Sequence, residues 1–294
     1  MKRFLVPLDA SPNSLAALDV AAEMASRQRG EIIGLFVEDS DLLRYTEHGF
    51  ASELSLCSCR LRPLQRGELE LQLRARAERI RRALADAGNK WGVPWRLHIS
   101  RGAVRSEIQR AALESDLTVL GKAGWSQVLS GRTGSTVQAL ISGPGGPTLI
   151  LQQGARIRPT VFTIYTGTPL SEWTLSAIPE LLQLERLRII VYIPTDSRED
   201  FERLRRGATA LLPAGARAEF RTLSSPYSAQ LLRELARGES PGTVILPSEA
   251  PEFQGRPLRE LLNGVSLPVL LIRRVSGGTG KEANDREHGS ASGE

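Results

Sequence analysis

Leu117-Thr118-Val119-Leu120-Gly121-Lys122-Ala123-Gly124, then nine residues, then Gly134-Ser135-Thr136 is the stretch whose reading decides the fold. Its first four residues are apolar or β-branched and read as a buried strand; Val137 to Ser142 reads as a helix. A glycine-bearing loop between a parallel strand and a helix N-terminus is a place where phosphates bind. The missing Cβ lets backbone N–H groups approach the oxygens, and the helix's first donors and dipole favour negative charge. The loop is not a Walker A motif, because no glycine lies five residues before Gly121 and no Ser or Thr follows Lys122. A second element supports it: Leu5-Val6-Pro7-Leu8-Asp9-Ala10-Ser11 at the start of the chain.

Outward from this loop, residues 1–152 alternate short β-branched runs with longer amphipathic ones. The spacing predicts strands over Arg3–Leu8, Glu31–Val37, Trp95–Ser100, Leu117–Gly121 and Thr148–Gln152. Helices are expected over Ser14–Arg29, Leu69–Asn89, Ala103–Ser115 and Gly134–Ser142, with Ser11-Pro12 opening the first and Gly30 closing it. Strands alternating with helices argue for a parallel sheet covered on both faces. Residues 38–67 fit no period and read as a long, mobile insertion.

The pattern repeats after Arg158. Strands are expected over Thr160–Tyr165, Arg188–Ile193, Ala216–Thr222, Thr243–Leu246 and Val269–Arg273. Gly146-Pro147-Thr148-Leu149-Ile150-Leu151 is echoed by Leu267-Pro268-Val269-Leu270-Leu271-Ile272, and Asp9 to Ser14 by Thr166 to Ser171. Two similar half-chains of domain size indicate a tandem duplication. The expected division is residues 1–154, residues 155–275 and a Gly/Ser- and charge-rich tail, 276–294, read as disordered. The apolar strands Thr148–Gln152 and Val269–Arg273 are expected to pair the halves, since such edges aggregate unless covered.

At 294 residues, with 41% hydrophobic and 24% charged residues, the chain has the composition of a soluble protein with sizeable cores. No apolar run approaches the roughly 18 residues that cross a bilayer. The basic start is stopped at Asp9, too early for a signal peptide, so a cytoplasmic location and no membrane partner are expected. A net charge of +5 raises the question of nucleic acid. The arginines of 60–82 interleave with acids, however, and Glu70/Arg74 and Glu78/Arg82 have the spacing of a salt-bridged helix face. Nucleic acid is therefore not an expected partner. Cys57 and Cys59 form one C-x-C, too few ligands for a zinc site, and the three histidines show no ligand spacing; no metal-ligating set is assigned.

The Leu5–Ser14 segment, the run from Gly121 through Gly124 to Gly134-Ser135, and the closing Gly146-Pro147-Thr148-Leu149-Ile150 resemble, in order and spacing, a universal stress protein domain. The second half resembles the family through its pattern and its Leu267–Ile272 strand. The resemblance implies an α/β fold: two tandem five-stranded parallel-sheet domains of the doubly wound, adenine-nucleotide-binding type, with intramolecular domain pairing or a homodimer. It further implies ATP, ADP or AMP as ligand, with Mg2+ on the phosphates. The positions matching the family's nucleotide site are Pro7, Asp9, Val37, Gly121, Gly124, Gly134, Ser135 and Thr136. Phosphates would lie over Gly124 and the Gly134-Ser135-Thr136 helix start, Asp9 near the ribose or a metal, and the backbone near Val37 at the adenine edge.

Other readings stand beside these. Asp9 would serve equally as a cap for the turn before the first helix, and Ser135 and Thr136 as ordinary helix-start residues. Lys122 is a candidate phosphate contact; Trp125 would cover the phosphates, pack on a partner domain or narrow the site. In the second half, Thr166 aligns with Asp9, Pro247 with Gly121 and Arg256-Pro257 with Ser135-Thr136, and the intervening segment is shorter, so no site is expected there. The leading expectation is a stress-response protein that binds an adenine nucleotide in its first half. The alternative is a stress-response scaffold that works through protein contacts alone. No catalytic residue is assigned, because no general base or phosphate-clamping arginine stands beside the loop in sequence.

Overall fold

The alternating runs of both halves build one continuous sheet. The computed structural model describes residues 1–48, 51–54, 61–123, 133–143, 145–212, 216–237, 241–248 and 254–273. The first half runs β1 (Arg3–Pro7), α1 (Pro12–Arg27), β2 (Glu31–Asp39), α2 (Ser40–Tyr45), β3 (Ser52–Leu54), β4 (Leu61–Pro63), α3 (Arg66–Trp91), β5 (Trp95–Gly102), α4 (Val104–Leu113), β6 (Leu117–Gly121), α5 (Ser135–Ser142) and β7 (Thr148–Leu151). The second runs β8 (Thr160–Ile164), α6 (Pro169–Leu182), β9 (Arg188–Pro194), α7 (Arg198–Leu211), β10 (Arg217–Leu223), α8 (Tyr227–Arg237), β11 (Thr243–Pro247), α9 (Gly255–Gly264) and β12 (Val269–Ile272).

The strands lie in the order β10-β9-β8-β11-β12-β7-β6-β1-β2-β5, and all neighbours are parallel except β12 and β7. Within each half the chain leaves a central strand, builds outward to one edge, then returns to the other side. That reversal makes each half a doubly wound sheet. The halves meet where β7 and β12 pair antiparallel, Leu149 opposite Leu270 and Ile150 opposite Val269. Both strands are short, apolar and fully buried. Each would be an exposed edge in isolation, and pairing removes both edges at once.

The sheet's two faces carry separate cores that both run across this seam. α1, α3, α6 and α7 cover the face lined by Val6, Val119, Leu149, Leu270 and Ile245. α4, α5, α8 and α9 cover the face lined by Leu5, Leu120, Ile150, Leu271 and Val244. Polar contacts add to the join: Gln28 Nε2 donates to the Leu181 carbonyl at 2.8 Å, and Lys2 pairs with Glu180 at 2.9 Å.

Local sequence explains the helix starts. Ser11 Oγ accepts the Ser14 N–H at 3.2 Å with Pro12 at the first helical position, and Thr168 Oγ1 accepts the Ser171 N–H at 3.3 Å with Pro169 following. The end of α1 differs from expectation. Arg29 takes the left-handed turn (φ 49°), while Gly30 is required for packing: a Cβ there would lie 2.6 Å from the Phe4 ring and 2.7 Å from the Lys2 carbonyl oxygen.

Residues 38–67 are not wholly irregular. They contain α2, whose start is capped by Asp39 through the N–H groups of Asp41 (2.9 Å) and Leu42 (3.5 Å), and the hairpin pair β3–β4. Elements this short fall below the length at which a period shows. On α3 the acids choose other arginines than expected, Arg66 with Glu70 and Arg81 with Glu78. Cys57, Cys59 and the tail from 276 lie outside the described residues. Among the described residues no helix is long and apolar enough to cross a membrane, and no cluster of metal-ligating side chains occurs.

Candidate functional site

β1 and β6 lie side by side, and the chain leaves them in opposite directions across the sheet, β1 toward β2 and β6 toward β7. Their carboxyl ends therefore border the crevice where doubly wound sheets bind ligands. A cavity of about 430 Å³ opens there. It is lined by Pro7, Asp9, Val37, Gly121, Gly134, Ser135 and Thr136, so seven of the eight expected positions converge on one space. Gly124, the eighth, lies outside the described residues, as does Trp125.

Asp9 follows β1. Its Oδ1 accepts the Ser11 N–H at 2.9 Å, closing a turn in which Ala10 takes φ 60°. A left-handed alanine costs roughly 1 kcal/mol, so the chain is bent here against local preference. The helix cap itself is Ser11, which leaves Asp9 both a turn residue and part of the cavity wall.

Gly121 ends β6 against α1. A Cβ at this position would lie 2.7 Å from the Asn13 carbonyl carbon and 2.8 Å from its oxygen, so backbone meets backbone and nothing larger fits. Asn13 secures the same corner: its Nδ2 donates to the Ala123 carbonyl at 2.9 Å and its Oδ1 accepts the Gln153 N–H at 2.9 Å. Gly134 caps α5 in an ordinary extended conformation (φ −65°, ψ 160°), with its N–H donated to the Lys122 carbonyl at 2.9 Å. Among the described residues no side chain caps α5. The N–H groups of Ser135, Thr136 and Val137 thus have no partner within the helix, and all three residues line the cavity.

Val37 sits where the sheet opens. Pairing of β2 with β1 stops at Leu35 and Pro7, whereas pairing with β5 continues to Asp39. The β1-facing edge of β2 is therefore released at Phe36 and Val37, beside the cavity. Its apolar wall comes from Leu35, Phe36, Leu42, Leu73, Val104, Ile108 and Leu120. Four lining residues, Asp39, Leu42, Leu73 and Arg76, were not legible as site residues: Asp39 ends β2 and caps α2, and the other three arrive on α2 and α3, whose position is fixed only by tertiary packing.

Lys122 does not belong to this cavity. Its Nζ donates to the carbonyl oxygens of Asn263 (3.2 Å) and Val265 (3.0 Å) at the end of α9, in the other half of the chain. Lys122 is 8% exposed, and burial pushes its pKa below the ordinary 10.5. A cation at a helix C-terminus meets the negative end of the dipole, so Lys122 forms a cap between halves. In the window between the lowered folded value and 10.5, the unfolded chain holds more protons than the folded one, so this residue's contribution to stability rises with pH there. Compared with Lys122→Met by urea unfolding, the parent chain should accordingly gain relative stability as pH rises toward 10.5. A difference independent of pH would contradict this.

The second half keeps the frame with other residues at the matching positions. In register, Thr166 falls where Asp9 stands and Pro247 where Gly121 stands, because Val244 pairs with Val269 and Phe162 as Thr118 pairs with Thr148 and Leu5. Pro247 has neither an N–H nor room for a close approach.

A model described as the universal stress protein family matches residues 1–152. Among solved structures, a universal stress protein from Archaeoglobus fulgidus DSM 4304 is similar with a TM-score of 0.65 at 15% identity, over 92% of this chain and 96% of that one. A functionally unknown protein from Pseudomonas aeruginosa PAO1 is similar with a TM-score of 0.54 at 11% identity, over 94% and 93% respectively. At these identities the likeness is one of fold, and it extends over both halves. No relative is found among curated protein sequences.

Proposed function

Because the chain belongs to the universal stress protein family, we propose that it is a stress-response protein whose first half, residues 1–154, binds ATP or a related adenine nucleotide, and whose second half, residues 155–275, binds none. The observation that supports this most is the convergence of the uncapped α5 start, Asp9 and the released edge of β2 on one cavity of about 430 Å³. That volume lies within the range of small-molecule sites, roughly 300–1,000 Å³.

The lining suits the parts of a nucleotide. The apolar wall fits a purine ring, with the backbone at Val37 available to its polar edge. The N–H groups of Ser135, Thr136 and Val137 fit phosphate oxygens. Asp9 and Asp39 fit ribose hydroxyls, or, in the case of Asp9, a magnesium ion held by the phosphates. Such an ion would supply charge neutralisation on the phosphates. Arg76, a cavity-lining arginine from α3, offers an anion a second contact.

Titration of the full chain with ATP, ADP and AMP, each with and without magnesium, should saturate at one nucleotide per chain. Two nucleotides per chain would overturn the assignment of the second half. No binding of any of the three would overturn the nucleotide reading and favour a scaffold acting through protein contacts.

A further inference from the structure

We propose that the second half is the positioning element of the α5 end of this site, holding the helix from both of its ends through Asn263, Lys122 and Arg273. The proposal rests on the nucleotide reading above for its ligand, while the device itself is independent of it. At the N-terminal end, the Gly134 N–H donates to the Lys122 carbonyl at 2.9 Å, so Lys122 and Thr133 are brought together beneath the start of α5. Both are held by the end of α9. Asn263 Oδ1 accepts the Thr133 N–H at 2.9 Å, and the Asn263 and Val265 carbonyls accept from Lys122 Nζ at 3.2 and 3.0 Å. At the far end, Arg273 just beyond β12 donates to the carbonyls of Leu140 and Gly143, the latter at 2.9 Å.

This reciprocity follows from the seam. Because β7 and β12 are antiparallel, the strand ends of one half lie beside the helix ends of the other, and a cation at each meets the carbonyls at a helix C-terminus. Burial lowers the pKa of both Lys122 and Arg273, and among the described residues both bond to carbonyl oxygens rather than to a carboxylate. α5 has eight residues and a glycine cap with no side-chain bond. A helix of two turns does not hold itself in water, so the direction of its first N–H groups is set by what grips its ends. By linkage, a ligand bound to those N–H groups must in turn tighten the grip.

The test uses the full chain and the variant Asn263→Leu, a change at an exposed side chain that removes the acceptor for Thr133; Arg273→Met releases the other end. Amide exchange is measured first without nucleotide. The Gly134 and Gln138 amides, whose bonds lie wholly within the first half, should exchange several-fold faster in both variants, with the β1 amides unchanged. ATP affinity should then fall about five- to tenfold in Asn263→Leu, and ATP should slow exchange at Thr133 in the parent chain. A merely structural contact would lower the urea midpoint while leaving those two amides in step with β1 and the affinity of the folded chain unchanged; that result overturns the proposal. If the parent chain binds no ATP, the ligand reading falls, and the exchange pattern of Gly134 and Gln138 alone decides the positioning role.

Discussion

Gly134→Val is expected to lower ATP affinity more than tenfold while the chain keeps its native circular-dichroism spectrum. The backbone at Gly134 is ordinary extended chain (φ −65°, ψ 160°), so valine meets no conformational strain there. What changes is the surface presented to the ligand: a branched side chain now stands at the mouth of the α5 N-terminus, beside the N–H groups of Ser135 and Thr136. Losing one or two charge-assisted bonds costs on the order of 1.5–3 kcal/mol each, and every ~1.4 kcal/mol is tenfold in affinity. Valine is also a poorer cap than glycine, by about 1 kcal/mol at most. A control, Gly134→Ser, restores a favoured cap and separates helix fraying from blocked approach. Unchanged ATP affinity in a folded Gly134→Val chain would remove the phosphate assignment.

Leu270→Asp is expected to have the largest effect on stability. Leu270 faces Leu149 directly across the seam, and each is 1% exposed. An unpaired carboxylate at such a position costs about 3–5 kcal/mol, and the lost apolar burial adds about 1.5–3 kcal/mol. Set against a total stability of roughly 5–15 kcal/mol, this should open the join between halves or unfold the chain at ambient temperature. The urea midpoint and the radius of gyration from solution scattering both report it. An unchanged midpoint would mean that β7 and β12 are not paired in solution.

The legible parts of this molecule are those whose signals are local. β1, β6 and β7 were visible as apolar runs bounded by Asp9, Gly121 and Pro147, and the capping pairs Ser11-Pro12 and Thr168-Pro169 marked two helix starts. The cavity's glycine-rich side was readable for the same reason, since Gly121 and Gly134-Ser135-Thr136 lie close in sequence. Its other wall was not. Leu42 comes from a six-residue helix too short to show a period, and Leu73 and Arg76 are one turn of a long helix that gives no sign of which end meets the site. Asn13 was read only as part of the Leu5–Ser14 segment, and its role at this corner was hidden because its two partners, Ala123 and Gln153, are reached only through the fold. The role of Lys122 as a cap on α9 was hidden for a similar reason. Its acceptors are 141 and 143 residues away, and the charge of a lysine says nothing about which carbonyls will surround it.

The antiparallel seam also governs the order in which the chain is made. β7 is complete before any strand of the second half is made, and its partner β12 is the last of the described strands to emerge. Domains fold as units from the N-terminus while translation proceeds, so a nascent first half waits with Thr148-Leu149-Ile150-Leu151 bare along one side for as long as the second half takes to appear. During that interval the same strand on a neighbouring ribosome, or β12 of a finished chain, is an equally good partner. Slow elongation or truncation inside the second half should accordingly yield strand-exchanged dimers and aggregates, while the completed chain, whose own β12 is tethered close by, stays monomeric at this edge.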